Sequence, residues 1–288
     1  MKEIAVISGK GGTGKSSISA AFASIGGNVV LADCDVDAAN LYLIFYPDND
    51  EEEVYIGGEK AVIDYSLCTN CGICTEKCRF DAILFQNGKT VISDISCDGC
   101  RLCERICPVQ AIHMEKQDKS RMYSGSFRNG KMVYGRLAPG KENSGKLVNK
   151  VREKAKQIAS KENIHVIIID GPPGIGCPVI SSITGVDAAV IVTEPTISGI
   201  SDLKRTLDVT SKFQLKTWVL INKSDLNKDM SSRIERLCED LGVAVAGKLP
   251  FDIQIVEAMV NKKSIVEFNK DSEIVKILEK VYKKIIVV

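Results

Sequence analysis

A glycine-rich loop near the amino terminus carries the residues best suited to bind phosphate. The run Ser8-Gly9-Lys10-Gly11-Gly12-Thr13-Gly14-Lys15-Ser16 follows the apolar stretch 4–7 and precedes a helical run that begins at Ser17. Backbone N–H groups in such a loop surround phosphates, Lys15 can reach the β and γ oxygens, and the Ser16 hydroxyl can ligate Mg²⁺. The strand before the loop and the helix after it argue against a solvated glycine turn. The predicted nucleotide contacts are Gly11, Gly12, Thr13, Gly14, Lys15, Ser16 and Ser17.

Lys10 is a second lysine in this loop. It stands near the start of the loop and points away from the amino terminus of the following helix, toward whatever faces the nucleotide. This position predicts a second subunit.

Carboxylates follow two apolar runs that are typical of buried parallel strands. Residues 29–32 end in Asp33-Cys34-Asp35, and residues 166–169 end in Asp170. Since α/β sheets bind ligands at the carboxyl ends of their strands, both sites should lie near the phosphate loop. Asp35 is predicted to contact Mg²⁺ or the attacking water, and Asp170 to support Mg²⁺. The loop 171–176, which includes Gly174, should respond to the γ-phosphate.

Eight cysteines form two runs of four, and the second run repeats the first about 29 residues later. In each run, two residues separate each of the first three cysteines, and three residues separate the third cysteine from the fourth. This is the signature of bacterial ferredoxins with two [4Fe-4S] clusters, in which the fourth cysteine ligates the other cluster. Arg79 stands where a proline is usual, which removes no ligand. Two zinc sites are the alternative, since each run also offers four thiolates. Cluster one takes Cys68, Cys71, Cys74 and Cys107; cluster two takes Cys97, Cys100, Cys103 and Cys78.

The order of these segments predicts a doubly wound, mostly parallel α/β sheet of P-loop NTPase type with an inserted α+β dicluster ferredoxin domain. The boundaries are 1–58 and 115–288 for the nucleotide domain and 59–114 for the insert. After the insert, residues 115–142 suggest a β-hairpin. A helix is expected from about 142 to 160, whose first turn is a cap or an anion site.

Two further segments carry alternatives. Asn222, at the end of the strand 217–221, can hydrogen-bond a base edge and Asp225 can begin the next helix, or both belong to a polar turn. Residues 272–288 carry an apolar stripe that favours a helix docked on the domain over an amphipathic membrane anchor. Residues 47–53 are expected to form a solvated acidic turn.

Composition and charge limit the partners and the cellular compartment that the sequence predicts. The net charge of +1 gives no electrostatic argument for nucleic acid. No apolar run approaches the roughly 20 residues that span a membrane, so a membrane partner is not expected. The chain begins directly with the first strand, and its eleven cysteines are spaced for metal, which indicates a reduced, cytoplasmic protein.

The phosphate loop, Asp33-Cys34-Asp35 and Asp170-Gly171-Pro172-Pro173-Gly174 together resemble the MinD/ParA group of P-loop ATPases with a deviant Walker A motif. The resemblance covers roughly residues 1–40 and 145–270. It implies ATP hydrolysis in a homodimer with ATP at the interface. It further implies that Lys10 contacts the partner's phosphates, that Asp35 orients water and that Asn222 meets adenine, with a weaker match at Pro250.

Related iron–sulfur ATPases match only in part. Cys177 stands seven positions after Asp170, as a bridging-cluster ligand does in nitrogenase iron protein, but no cysteine between 107 and 177 supplies the second ligand. Mrp-type cluster carriers use a late Cys-x-x-Cys, whereas Cys238 is alone. Three functions follow: ATP-gated electron transfer to an unknown redox partner, cluster or metal-cofactor assembly on an apo-protein, and a MinD-like positioning switch.

Overall fold

A computed structural model describes residues 1–139 and 145–287. The chain divides into two compact units. The first comprises Met1–Glu52, Met122–Arg136 and the described residues of 143–288. The second comprises Glu53–Arg121 and the described residues of 137–142. The predicted start of the helix at 142, with its possible anion site, lies outside the described residues.

The strands are β1 Lys2–Ser8, β2 Val29–Asp33, β3 Asp48–Tyr55, β4 Glu59–Ile63, β5 Ile83–Gln86, β6 Lys89–Ile92, β7 Ile112–Lys116, β8 Ser120–Phe127, β9 Gly130–Arg136, β10 Val166–Pro173, β11 Ala188–Thr193, β12 Lys216–Ile221 and β13 Ala244–Lys248. The helices are α1 Lys15–Gly26, α2 Leu41–Phe45, α3 Ile73–Lys77, α4 Leu102–Ile106, α5 Lys146–Lys161, α6 Cys177–Ile183, α7 Ile197–Lys212, α8 Lys228–Asp240, α9 Gln254–Val260, α10 Ile265–Phe268 and α11 Glu273–Ile286.

The main sheet of the described residues has the order β13-β12-β11-β1-β10-β2-β9-β8-β3. Its pairs from β13 to β9 are all parallel. Strands β1, β2, β10 and β11 are almost entirely buried, as parallel strands covered on both faces must be. In the β10–β2 register Asp170 lies opposite Asp33. The predicted mostly parallel α/β sheet is therefore confirmed, and the strands that end in carboxylates are neighbours at its centre.

The carboxyl-terminal helix α11 packs on the main unit. Ile274, Val275, Leu278, Val281 and Ile285 are each at most 1% exposed and belong to the same core as α1. The docked helix is confirmed, and because its apolar stripe is covered, the stripe is not displayed for a membrane. Among the described residues, no helix has both the length and the apolar character to cross a bilayer.

Three local expectations have clear outcomes. The hairpin after the insert is confirmed, since β8 and β9 are neighbours joined by residues 128–129. The acidic run at 48–53 is not a turn but part of edge strand β3, where charged side chains protect an open sheet edge. The next helix after β12 does not begin at Asp225. It begins at Lys228, with the Asn227 side chain accepting from Met230 N at 3.0 Å.

The second unit contains two small antiparallel sheets. In the first, β4 pairs with β7 and Ile63 lies opposite Ile112. In the other, β5 pairs with β6 through Asn87-Gly88, whose φ values of 51° and 75° suit a type I′ hairpin turn. The short helices α3 and α4 of the second unit each begin inside one cysteine run. The two sequence repeats thus have matching secondary structure.

Candidate functional site

The phosphate loop connects β1 to α1 as predicted. Gly12 and Gly14 have left-handed φ values of 79° and 93°, which L-residues rarely adopt. Gly14 also needs its small size, because a Cβ there would lie 2.5 Å from Nδ2 of Asn222. A cleft opens above this loop at the carboxyl ends of the parallel strands. It is lined by Gly11, Gly12, Gly14, Lys15, Ser16, Ser17, Asp35, Asp37, Ala38, Asn40, Pro172, Pro173, Pro178 and Met259.

Asp170 is the carboxylate that contacts the helix after the loop. One of its oxygens accepts from Ser16 Oγ at 2.7 Å and the other from Ser19 Oγ at 2.8 Å. Asp170 is fully buried, and burial raises the pKa of its carboxyl even though Lys15 and the two hydroxyls oppose the shift. A hydroxyl and a carboxylate at this distance offer the oxygen ligands that Mg²⁺ prefers.

Asp33 shapes the loop that carries Asp35. It is fully buried, and it accepts hydrogen bonds from the backbone N–H groups of Asp35, Asn40 and Leu41 at 3.1–3.2 Å. Burial, followed by the neighbouring Asp170, raises the pKa of its carboxyl well above the usual range. Asp33 therefore positions the residue that lines the cleft.

Asp35 itself lines the cleft, and its contact with Mg²⁺ or the attacking water stays a prediction. Burial raises the pKa of its carboxyl to about 6, against the attraction of Lys15. A carboxyl with a pKa near neutral pH is suited to exchange a proton with water.

Lys10 is held within its own chain. Its ammonium group lies 2.5 Å from Oε1 of Glu194 and within 3.4 Å of the hydroxyls of Thr196 and Ser198. Lys223 binds the other oxygen of Glu194 at 3.1 Å. One carboxylate thus bridges two lysines beside the phosphate loop. The contact of Lys10 with a partner's phosphates stays a prediction.

Asn222 lies against the phosphate loop. Its Nδ2 donates to Thr13 O at 2.8 Å, and its Oδ1 accepts from Lys223 N at 3.0 Å. The side chain is 5% exposed. It ties the end of β12 to the loop, and its contact with adenine stays a prediction, as does that of Pro250 in the loop after β13.

Three other predicted residues have defined places. Ser17 lines the cleft and its hydroxyl donates to Met259 Sδ at 3.3 Å. Gly174 has a φ of 97° and its N–H donates to Ser8 O at 2.9 Å, so the loop after β10 contacts the phosphate loop. The Thr13 hydroxyl is buried and without a hydrogen-bond partner among the described residues.

The ligands predicted for cluster two surround one cavity of the second unit. Its wall contains all four thiols of that set together with apolar and basic side chains. No group of three or more His, Cys, Asp or Glu side chains within the described residues is spaced to hold a single metal ion. The wall comprises Ala61, Lys77, Cys78, Phe80, Ala82, Ile83, Cys97, Asp98, Gly99, Cys100, Arg101, Leu102 and Cys103.

The backbone of the two cysteine runs repeats along with the sequence. Cys68 N donates to Asp64 O at 3.1 Å, and the equivalent Cys97 N donates to Ser93 O at 3.0 Å. Left-handed residues recur at equivalent positions, which turns each ligand loop in the same way. These are Asn70 and Gly99, Gly72 and Arg101, and Asp81 and Gln110.

The cysteine thiols of both runs are free and at least partly exposed. Burial raises the pKa of Cys103 to about 11, so a metal that binds there must displace a proton. The Cys107 sulfur accepts from Ala111 N at 3.3 Å, a contact that tunes a sulfur ligand. Outside the runs, Cys34 and Cys238 are buried, whereas Cys177 is exposed at the first residue of α6.

A phosphate loop between β1 and α1, a hydroxyl bonded to a buried carboxylate and a central parallel sheet define a P-loop nucleotide-binding protein. Residues 4–265 match the CobQ/CobB/MinD/ParA nucleotide binding domain. The chain belongs to this family.

Known proteins resemble this chain in sequence or in fold. An uncharacterized protein of Methanocaldococcus jannaschii is 34% identical over 286 residues, 98% of this chain and 96% of the relative. The cell division ATPase MinD of Pyrococcus furiosus shares the fold with a TM-score of 0.60 and 20% identity, covering 98% of this chain and 97% of that one. MinD of Pyrococcus horikoshii, solved with Mg-ADP, gives a TM-score of 0.59 and 19% identity, with coverages of 98% and 95%.

A further similarity concerns a smaller part of the chain. A ferredoxin of Pyrobaculum islandicum is 34% identical over 78 residues, which are 26% of this chain and 73% of the ferredoxin. The matched length of 78 residues is close to the length of the second unit.

Sequence reasoning left four residues of the site without a role: Asp33, Ser19, Glu194 and Lys223. Asp33 stands two residues before Asp35 at the end of β2, and a carboxylate at a strand end could have been predicted from the sequence to belong to the site. Ser19 is one turn after Ser16 on α1, so its contact with Asp170 follows from helical spacing. The bridge at Glu194 depends on the ends of three strands, β1, β11 and β12, coming together, and no local pattern indicates it.

Proposed function

We propose that this protein is a Mg²⁺-dependent nucleoside triphosphatase that forms a nucleotide-switched homodimer and couples hydrolysis to electron transfer through two [4Fe-4S] clusters. ATP is the nucleotide that the family resemblance implies. The observation that carries the hydrolytic part is the Ser16–Asp170 hydrogen bond of 2.7 Å at the start of α1. It presents a hydroxyl and a carboxylate beside the phosphate loop, and these two residues would hold a Mg²⁺ ion, which would supply neutralisation of the phosphate charge.

The hydrolytic step uses residues of this chain at three places. Lys15 and the loop N–H groups hold the phosphates, while Ser16 and Asp170 are the residues for Mg²⁺. Asp35 orients a water molecule that attacks the γ-phosphorus. The bond from that phosphorus to the bridging oxygen breaks, releasing inorganic phosphate and the nucleoside diphosphate. Lys10 neutralises charge on the partner's phosphates after leaving Glu194.

The second unit supports the iron–sulfur part through its donor set. Four thiols of the set predicted for cluster two line one cavity, and left-handed residues recur at equivalent positions of the two cysteine runs. Thiolate is the ligand that these clusters require, and a bound cluster supplies one-electron chemistry. The ferredoxin similarity over 78 residues supports the same interpretation.

Anaerobic metal analysis tests the iron–sulfur part. We expect about eight iron atoms and eight sulfides per chain, and about four of each after Cys100→Ser. Cys34→Ser, a change at a buried cysteine outside the runs, is the matched control and should keep all eight. Stoichiometric zinc in place of iron would contradict the proposal. Transfer of the cluster to an apo-protein without redox cycling would instead favour the assembly function.

A MinD-like positioning switch is the second candidate, favoured by the fold shared with MinD. Its membrane form needs an exposed apolar helix, whereas the stripe of α11 is buried. ATP-dependent co-sedimentation with anionic liposomes, lost on removal of residues 272–288, would support it. We expect no such co-sedimentation.

A further inference from the structure

The short helix α2 begins at the cleft over the phosphate loop. Asn40, the residue before the helix, lines this cleft. The backbone N–H groups of Asn40 and Leu41 donate to Oδ2 of Asp33 at 3.1 and 3.2 Å. The other oxygen of Asp33 accepts from Asp35 N at 3.2 Å. One buried carboxylate therefore joins the loop of Asp35 to the first turn of α2.

The other end of α2 leads into the strand by which the chain enters the second unit. Tyr46 follows the helix with a left-handed φ of 48°, a conformation that is uncommon for a bulky residue and that turns the chain sharply. Strand β3 begins two residues later at Asp48, and the second unit begins within that strand at Glu53. The helix α2 is thus the last helix between the cleft and the second unit.

Arg128, in the turn between β8 and β9, holds this end of α2. Its guanidinium donates to Phe45 O at 3.1 Å and to Ile44 O at 3.2 Å, the last two carbonyls of the helix. It also lies 5.4 Å from the centroid of the Phe45 ring and donates to both carboxylate oxygens of Glu267 at 2.7 and 3.1 Å. One side chain therefore ties the end of α2 to the hairpin of β8 and β9.

Aromatic rings connect α2 to the same hairpin. Tyr42 stacks on Tyr134 of β9 with ring centroids 5.1 Å apart, and Tyr134 stacks on Tyr123 of β8 at 4.9 Å. Phe45 packs against Phe127 of β8 at 4.7 Å. Because close-packed rings have few alternative arrangements, a movement of α2 must shift the rings of β8 and β9 as well. Strand β8 contains the point at which the chain returns from the second unit.

We propose that α2 couples nucleotide binding to the redox state of the second unit, with Arg128 as the positioning residue for this coupling. The coupling rests on the proposed function, since it needs both a nucleotide and the iron–sulfur clusters. A nucleotide that shifts the loop of Asp35 shifts α2, and with it β3 and β8, the two strands that lead into and out of the second unit. Coupling between two sites is reciprocal, so the redox state of the second unit must also change the affinity for nucleotide.

The test measures the dissociation constant of a non-hydrolysable ATP analogue with Mg²⁺ for the full chain. It is measured anaerobically, once on the oxidised chain and once after reduction with excess dithionite. We expect the two constants to differ by at least about fivefold, the lower end of typical coupling between sites. Equal constants would overturn the coupling and leave both binding sites in place. A chain that binds no nucleotide or holds no iron would contradict the proposed function itself.

Arg128→Met separates coupling from binding. Methionine keeps an apolar side chain beside the Phe45 ring but has no donor for the carbonyls at the end of α2. We expect nucleotide binding and iron content to remain, while the ratio of the two constants falls to within about twofold of one. Arg233→Met, at an exposed position of α8, is the matched control and should keep the wild-type ratio. A wild-type ratio in Arg128→Met would refute the role of Arg128.

If Arg128→Met fails to fold, Tyr42→Leu tests the same coupling at another contact of α2. This variant removes the stack on Tyr134 and leaves Arg128 and its hydrogen bonds unchanged. We again expect the ratio of the two constants to fall toward one. A wild-type ratio in a folded Tyr42→Leu chain would place the coupling outside α2 and overturn the proposal.

Discussion

The ammonium group of Lys10 lies 2.5 Å from Oε1 of Glu194 in the same chain. Since Glu194 also pairs with Lys223, its carboxylate holds two positive charges beside the start of the phosphate loop. Hydrogen bonding to both lysines lowers the pKa of Glu194 against the effect of burial, so it is ionised at neutral pH. Lys10 must leave this carboxylate before it can reach another subunit.

Glu194→Gln is expected to favour dimers. The neutral amide holds Lys10 less tightly, so the lysine is released at lower cost. Because the pair is partly exposed, the gain should be modest, about threefold in the dimerisation constant with a non-hydrolysable ATP analogue. Analytical ultracentrifugation measures it. Glu273→Gln, at the start of α11, is the control, and an unchanged or weaker dimer would contradict the expectation.

Lys10→Ala and Lys15→Ala should separate binding from hydrolysis. Lys15 serves the phosphates of its own chain, so its loss should abolish nucleotide binding. Lys10 is expected to act on the partner's phosphates, so Lys10→Ala should bind nucleotide with little change and lose turnover. Calorimetric binding and phosphate release are the two measurements. Normal turnover in the Lys10 variant would defeat the shared-site dimer.

Ser19→Ala should lower stability. The buried Asp170 carboxylate would lose the hydroxyl donor at 2.8 Å, and leaving a buried charged acceptor short of a donor costs about 1–3 kcal/mol. Denaturant unfolding measures the free energy difference. Ser232→Ala, on the exposed side of α8, should change it by less than about 0.5 kcal/mol. If Ser19→Ala also lowered the free energy of unfolding by less than about 0.5 kcal/mol, water would have replaced the lost hydroxyl.

Asp35 should make stability depend on pH in the nucleotide-free protein. Its pKa is raised from 3.8 to about 6 in the folded chain, so folding favours the protonated form. Its contribution is therefore fully present below about pH 4 and is lost as the pH rises through 6. The loss is on the order of 2 kcal/mol after allowance for partial exposure. Relative to Asp35→Asn, the wild type should lose stability across this window when unfolding is followed by urea titration; parallel curves would contradict the shift.

The phosphate loop and the sheet were predictable because their determinants are local. A strand, a glycine loop with Lys15 and Ser16, and a helix follow one another in sequence, and buried parallel strands appear as continuous apolar runs. The two carboxylate positions followed from the rule that ligands bind at strand ends. The acidic run at 48–53 was misinterpreted because its charge suits a solvated turn, while its pairing as edge strand β3 depends on β8, more than sixty residues later.

The sequence by itself determined the class of site, the eight spaced thiols and the strand–loop–helix order around the phosphate loop. Tertiary structure alone decided which groups meet: Glu194 with Lys10 and Lys223, Asn222 with the Thr13 carbonyl, and Asp225 with Phe251 N. These partners are separated by 26 to 209 positions or belong to different strand ends. Parallel strands bring such ends together only after the sheet has formed, so no local pattern records their contacts.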